Sequence, residues 1–523
     1  MLRESNYNLG YLSHKYLNKN LNEIDMNVIL TNLHDPKFFA ELGELTLYES
    51  SLTFDLIDKF CILQLAKQLT YIAGNLWIKS LQNSRADRCE MLLMHEFNKN
   101  KFIIPDKINK NDKNEELIDD ENDKTKKKGP QYSGGLVLEP KSGLYDQIIL
   151  LLDFNSLYPS IIQEYNICFT TVERKPSQKF EDTYLISKNQ KNEKNDKIKK
   201  DKNNNKKEDA PELKEIPLID DEIDLTAIKK SAYKSILPHI VESLVKRRKQ
   251  VKDEMKRVND KAKLAMLEIR QKAFKLSANS LYGYLGYKSS RFYAKPIAAL
   301  ITSTGRRILQ DTVNSVMKPG IYPLDVIYGD TDSIMINTNT VDLKKSLEVG
   351  NYIKKVINEK YKLLEMEVDF VFKTLLLLKK KKYAALKINN PFDQNEKTYS
   401  KEYKGLDLVR RDWCDLSKDT GKYILEIILD GQKTKDEIVI LILDFLKDVA
   451  SKMNKNEYPI ELYVITKQLT KNLEDYADGK SLPHINVAKR LKENGDNTIK
   501  SGMTIPYIIC INKKEEMNHS VLL

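Results

Sequence analysis

The chain has 523 residues, too many for one hydrophobic core, so two to four packed units are expected and a small binding module is excluded. Hydrophobic residues make up 41% and charged residues 31%, and the mean hydropathy of −0.51 is polar enough that some segments should not pack. The net charge of +11 favours a polyanionic partner without naming one. The cysteines (Cys61, Cys89, Cys168, Cys414, Cys510) lie far apart with no CxxC spacing, which argues against a zinc module or disulfide framework and suits a reducing compartment. No apolar signal core opens the chain, and the longest apolar run, Ile438 to Leu443, stops at Asp444, so a soluble intracellular protein without a membrane partner is expected.

In chain order, Leu63 to Phe97 reads as mostly helical, with its apolar spacing broken at Gly74. Asp106 to Lys128 then carries seven Lys and eight Asp+Glu with three aliphatic residues, too few to offset the entropy of ordering. Gly134-Gly135 opens into Leu136 to Leu138, and Ile148 to Leu152 is a continuous apolar run typical of a strand covered on both faces. Lys188 to Lys207 holds nine Lys against three Asp+Glu and only Ile198 as an apolar residue, so about half of the net charge sits in a second segment read as a disordered insertion.

A basic helical pattern follows from Ala232 to Lys256, and a second helix is predicted from Lys263 to Leu281, ended by Gly283 and Gly286. At Val326 to Asn337 the period changes to that of two strands joined by a tight polar turn at Gly329 to Asp332. Leu375 to Leu386 reads as another strand pair, interrupted by Lys379 to Lys382, and the stretch from Asp407 to Glu474 is helix-rich. No repeat of fixed period appears.

A carboxylate closes each of two buried strands: Asp153 follows the 148–152 run, and Asp330 and Asp332 occupy the hairpin turn. Carboxylates converging beside apolar strands need a compensating charge and form a hard, all-oxygen site suited to Mg²⁺, although any one of them could simply end its strand in solvent. Lys275, Asn279 and Tyr282 fall at i, i+4 and i+7, so an ammonium, an amide and a phenol share one helix face on which a triphosphate could be met. Arg248 and Lys252 repeat the i, i+4 spacing one helix earlier. Either helix alone is equally a solvated basic face.

Together these segments resemble the family B DNA polymerases. Asp153-Phe154-Asn155-Ser156-Leu157-Tyr158-Pro159-Ser160 is similar to the first palm motif, and Lys275 to Gly283 (KLSANSLYG) to the fingers-helix motif. Tyr328-Gly329-Asp330-Thr331-Asp332-Ser333 is similar to the second palm motif, and Lys381-Lys382-Tyr383 to the later lysine-tyrosine motif. Asn155, where delta-type enzymes typically carry Ser, together with 134–140, 163–171 and 372–378, points to the alpha-type branch. The resemblance runs from about Leu63 to Cys510, apart from the two insertions.

The resemblance implies an α/β right-hand fold with an α+β palm. Its expected divisions are an inactive exonuclease-like remnant at 1–100, a linker at 101–132, palm at 133–230 with an insertion at about 178–215, fingers at 231–292, palm again at 293–404, and a mostly helical thumb at 405–523. It implies a DNA-templated DNA polymerase with two Mg²⁺ ions held by Asp153, Asp332 and the Phe154 carbonyl, with Asp330 in support. The dNTP would be met by Arg248, Lys252, Lys275, Asn279, Tyr158, Tyr282, Ser156 and Leu157, with Tyr158 as the gate against a 2′-hydroxyl. Primer-template DNA would be met by Lys382, Tyr383, Thr331 and Gly283.

Primase subunits, an accessory B subunit and the nucleus are the implied setting. The Tyr-x-x-x-Asp motif of a proofreading exonuclease would fall near Asp55, where position 51 is Ser and the tyrosine lies at 48, so no such activity is expected. The cysteine modules that bind the B subunit are not found, which suits a polymerase core truncated at both ends. A delta-like polymerase and a catalytically silent primer-template-binding scaffold are the competing readings.

Overall fold

The computed structural model describes residues 4–106, 133–172 and 225–521, less short breaks at 5–6, 23, 25, 33, 83, 226–227, 229–232, 318–323, 392–397, 411–412, 432, 477–481, 496–498 and 512–517. Apart from Asp106, both charge-rich segments lie outside the described residues.

Six helices come first: α1 (Leu9–Leu17), α2 (Met26–Asn32), α3 (Pro36–Lys59), α4 (Ile62–Ala73), α5 (Trp77–Leu81) and α6 (Arg85–Lys99). The central part runs β1 (Gly143–Tyr145), β2 (Ile149–Phe154), α7 (Leu157–Glu164), α8 (Ile236–Met255), α9 (Lys261–Leu285), α10 (Lys295–Val316), β3 (Asp325–Asp330), β4 (Ser333–Asn337), α11 (Leu343–Asn358), β5 (Met366–Lys379), β6 (Lys382–Ile388) and β7 (Tyr399–Lys404). The C-terminal part holds α12 (Asp415–Leu429), α13 (Lys435–Asn454), β8 (Ile465–Gln468), α14 (Pro483–Glu493), β9 (Thr504–Ile511) and β10 (Asn518–Val521).

The central sheet is antiparallel throughout, in the order β3-β4-β2-β5-β6-β7, with β1 paired farther along β5 at Leu375–Leu377. The apolar run of β2 explains its place in the middle. Side chains alternate across a strand. Leu150, Leu152 and Phe154 pack into the large core with α7, α9 and α10, while Ile149 and Leu151 join Ile327, Met335 and Phe372 in a second core on the other face. The expectation of a strand covered on both faces is met.

Helix ends follow local chemistry. Asp260 caps α9 by accepting from the Ala262 amide, and Thr434 and Glu437 close a capping box on α13. Gly283 does not end its helix as expected: α9 runs through it to Gly286. A mid-helix glycine costs only about 1 kcal/mol, and here Leu281, Tyr284 and Leu285 are buried on either side of it. The C-terminal part is not purely helical either. Strands β8, β9 and β10 form a separate antiparallel sheet that packs with α14 around Leu469, Ile485, Val487 and Ile505. Strands β8 and β10 have four residues each and one aliphatic side chain apiece, and β9, though mostly apolar, does not alternate, so the strand period is weak in the sequence. No helix among the described residues is long and apolar enough to cross a membrane.

Candidate active site

The strand register builds the site. In β2 and β4, Asp153 lies opposite Ser333, and in β3 and β4 the same Ser333 lies opposite Asp330. On the other side Asp153 lies opposite Glu367 of β5. One row across four strands therefore carries three carboxylates, and the turn adds Asp332, whose carbonyl accepts from the Phe154 amide at 2.8 Å.

The turn itself is bent by Thr331, whose φ of +64° is left-handed. Its amide donates to the Leu136 carbonyl at 2.7 Å, and its hydroxyl donates to Asp330 at 3.1 Å. Gly135 passes beneath, where an added Cβ would lie 2.7 Å from the Thr331 methyl and 3.0 Å from the Tyr158 hydroxyl. No side chain fits there.

Burial and mutual repulsion define the electrostatics. Burial, then the charges of Asp332 and Asp369, push the Asp153 carboxyl up to about 7, and Lys275 counters only part of this. Asp153 Oδ1 is shielded from water and has no hydrogen-bond partner. Asp332 is raised as well, first by burial and then by Asp330. An unpartnered oxygen and two carboxyls raised by burial and neighbouring carboxylates fit a hard cation that would take the place of the protons. Among the described residues no three His, Cys, Asp or Glu side chains close into a cage. Two carboxylates with open positions suit Mg²⁺, which keeps part of its shell for water and phosphate oxygens. The side chains present fit such a cation at Asp153 and Asp332.

Two neighbours of the pair escape sequence reading. A register shift in the β2–β5 pairing takes Leu151 to Phe370 and Leu152 to Val368, so Asp369 is the extra residue of a bulge, and its charge reaches Asp153. Its only sequence signal is an acid inside the apolar stretch Val368 to Phe372. Lys381 is the other: it stands in the lysine-tyrosine motif, but the resemblance gives a role only to Lys382 and Tyr383. It donates to Asp330 Oδ1 at 2.9 Å, while its amide donates to the Tyr328 hydroxyl at 2.8 Å. A left-handed φ of +63° at Lys381 shapes this turn, and Gly405, at φ +62°, leaves no room for a Cβ beside the Lys381 carbonyl. Lys382 instead pairs with Asp407 at 3.5 Å, and Tyr383 is buried in the second core against Phe372.

The cationic wall comes from α8 and α9. Lys275 and Asn279 are exposed and line a cleft of about 540 Å³ with Gly283 and Tyr287, faced by Arg85, Ala86 and Cys89 of α6. Arg248 is half-buried and donates to Gln271 at 3.3 Å, which ties α8 to α9, and Lys252 is exposed. Tyr282 stacks on Tyr158 with ring centroids 4.4 Å apart. Ser156 precedes α7 in a left-handed conformation, whereas the Leu157 side chain is buried in the main core.

An antiparallel sheet thus brings carboxylates to one hairpin turn, and a cationic helix pair lies close enough for Lys275 to act on Asp153. The sequence model of DNA polymerase family B matches residues 75–522, and the chain belongs to that family. It is 45% identical over 98% of its length to the DNA polymerase alpha catalytic subunit of Sterkiella nova, and 42% identical, again over 98%, to that of Xenopus laevis. The mouse alpha catalytic subunit is 46% identical over 86% of the chain. The chain spans about a third of the length of these relatives: 33% of the first two and 29% of the third. Its fold is similar to the family B DNA polymerase of Pyrobaculum calidifontis, with a TM-score of 0.58 and 24% identity over 98% of this chain and 57% of that one.

Proposed function

We propose that the chain is the polymerase core of an alpha-type, DNA-templated DNA polymerase, which adds deoxynucleotides to a primer 3′-hydroxyl and releases pyrophosphate. The observation that carries this reading is the half-buried Asp153, with an unpartnered oxygen and a carboxyl raised to about 7, beside Asp332 and within the field of Lys275. The names of the relatives support the alpha type.

In this reading the central sheet is the palm, α8 and α9 are the fingers, and the segment after Gly405 is the thumb. Asp153, Asp332 and the Phe154 carbonyl would hold two Mg²⁺, which supply charge stabilisation to the attacking and leaving oxygens of an in-line displacement. Asp330, neutralised by Lys381, supports the turn from outside the ligand set. Lys275 and Asn279, with Arg248 and Lys252, meet the triphosphate. Tyr158, braced by Tyr282 and capped by Gly135, lies under the sugar. Ser156 and Leu157 serve through their backbone. Gly283 and Thr331 leave room for DNA, and Lys382 meets primer phosphates while the buried Tyr383 stiffens its strand. The full-length protein would work in the nucleus with primase subunits and an accessory B subunit, extending primers they supply.

Primer extension with DNA and RNA primers, with and without Mg²⁺, tests this. Mg²⁺-dependent extension of both primers is expected. Primer-template binding without extension would identify a scaffold, and refusal of RNA primers would favour a delta-like enzyme.

A further inference from the structure

Helix α6 and the C-terminal end of α9 are joined by a buried polar knot to which the proposed chemistry assigns no part. Glu90 of α6 is only 8% exposed, and each of its carboxylate oxygens is engaged by a different segment. The Tyr284 hydroxyl donates to Oε2 at 2.9 Å, and Arg291 Nε donates to Oε1 at 3.1 Å. Arg291 also donates from Nη1 to the Pro105 carbonyl at 2.8 Å. Tyr284 lies in the last turn of α9 and is 3% exposed, and burial followed by the bond to Glu90 drives its phenol well above the usual range. The segment carrying Arg291 is itself strapped to the helix end: Ser290 donates to the Tyr284 carbonyl at 3.0 Å, and the Ala294 amide to that of Leu285 at 2.9 Å.

The partners lie 194 and 201 residues apart in sequence, so nothing local requires them to meet. Apolar packing alone, such as that of Cys89 and Leu93 in the main core, tolerates small slides of one helix over another. A carboxylate gripped from two directions does not, because its bonds are directional and an unpaired buried charge is costly. Lys275 and Asn279 precede Tyr284 by nine and five residues on the same helix, about 13 Å and about 8 Å along its axis. Across the cleft they face Arg85, Ala86 and Cys89 of α6, the helix that carries Glu90 behind that wall.

We propose that Glu90 is a positioning residue: through Tyr284 and Arg291 it sets how far α9 advances and how it is rotated, and hence where Lys275 and Asn279 meet the incoming triphosphate. This rests on the polymerase reading. The test is single-nucleotide extension across a dNTP series by the wild-type chain, Glu90→Gln, Tyr284→Phe, Arg291→Ala and Arg291→Lys, with primer-template Kd and unfolding midpoint measured alongside. Leu93→Ala, a core truncation on the same helix, is the stability control.

Glu90→Gln and Tyr284→Phe are expected to raise the dNTP KM about tenfold while changing kcat less than about threefold and leaving primer-template Kd unchanged. Arg291→Lys should recover part of what Arg291→Ala loses, and Leu93→Ala should lower the midpoint without moving KM. An unchanged KM in both Glu90→Gln and Tyr284→Phe, or a KM that follows the midpoint in Leu93→Ala as well, would overturn the inference while leaving the polymerase reading intact. Failure of the wild-type chain to extend would overturn that reading, and this inference with it.

Discussion

The carboxylate end of the sheet and the cationic face of α9 would serve one reaction but are built on opposite principles. Asp153, Asp330 and Asp332 are held by register: a one-residue slip of β2 against β4 would turn Asp153 to the other face and force Leu150 and Leu152 into the second core, in the places shaped for Ile149 and Leu151. Lys275 and Asn279 are held by helical period on the exposed face of a helix that is tied to α8 through Arg248 and Gln271 and, at its far end, to α6 through Glu90. Strand register gives tight placement of buried, mutually repelling charges. A helix gives well-solvated cations that can move as a body. The sheet end should therefore respond to substitution in the chemical step and the helix face in binding.

Several substitutions press on that contrast. The largest effect is expected for Asp332→Asn, which should lower kcat on the order of a thousandfold, the equivalent of several kcal/mol of charge stabilisation, with primer-template Kd unchanged in a filter-binding assay. Gly135→Ala should follow at about a hundredfold in kcat, because the new methyl must displace the Thr331 turn or the Tyr158 hydroxyl. Normal turnover by this variant would mean that the turn yields and that strand placement is looser than described.

Lys275→Ala should raise the dNTP KM about tenfold to a hundredfold, the worth of one charge-assisted contact, with a smaller effect on kcat. An equal loss in kcat alone would erase the distinction between the two regions. The smallest effect concerns stability without metal. The folded-state carboxyl of Asp153 lies above its ordinary value, so its ionisation opposes folding, with a penalty that grows as pH rises from about 4 to about 7 and is constant above. Asp153→Asn should be more stable than the wild type to urea at pH 8 by about 1–2 kcal/mol, since water still screens this half-exposed group, and equal to it at pH 4. Added Mg²⁺ should narrow the gap by stabilising only the wild type.

Much of this arrangement is legible in the chain. The run Ile149 to Leu152, the hairpin around Thr331 and the amphipathic periods of α4, α6 and α8 all arise from preferences that act within a few residues, so their patterns survive in one dimension. Asp369, Lys381 and Glu90 are not legible in this way. Asp369 matters because β5 bulges opposite β2, Lys381 because a turn aims it at Asp330, and Glu90 because α9 returns to it after 194 residues. The sheet of β8, β9 and β10 is hidden for a related reason: β8 pairs with β9 across a gap of tens of residues, and the sheet packs on α14 around one apolar cluster.

By itself the sequence determined which residue types stand at which spacing: acids after apolar strands, a lysine and an amide one helical turn apart, and two segments rich in charge and poor in apolar residues. Only the tertiary structure decided that Asp332 and Asp369 act on Asp153, that Asp153 Oδ1 lacks a partner, and that a distant carboxylate anchors the helix carrying Lys275. The physical reason is range. Propensity and periodicity act over a few residues, whereas desolvation and Coulomb repulsion depend on which groups the folded chain brings within a few ångströms.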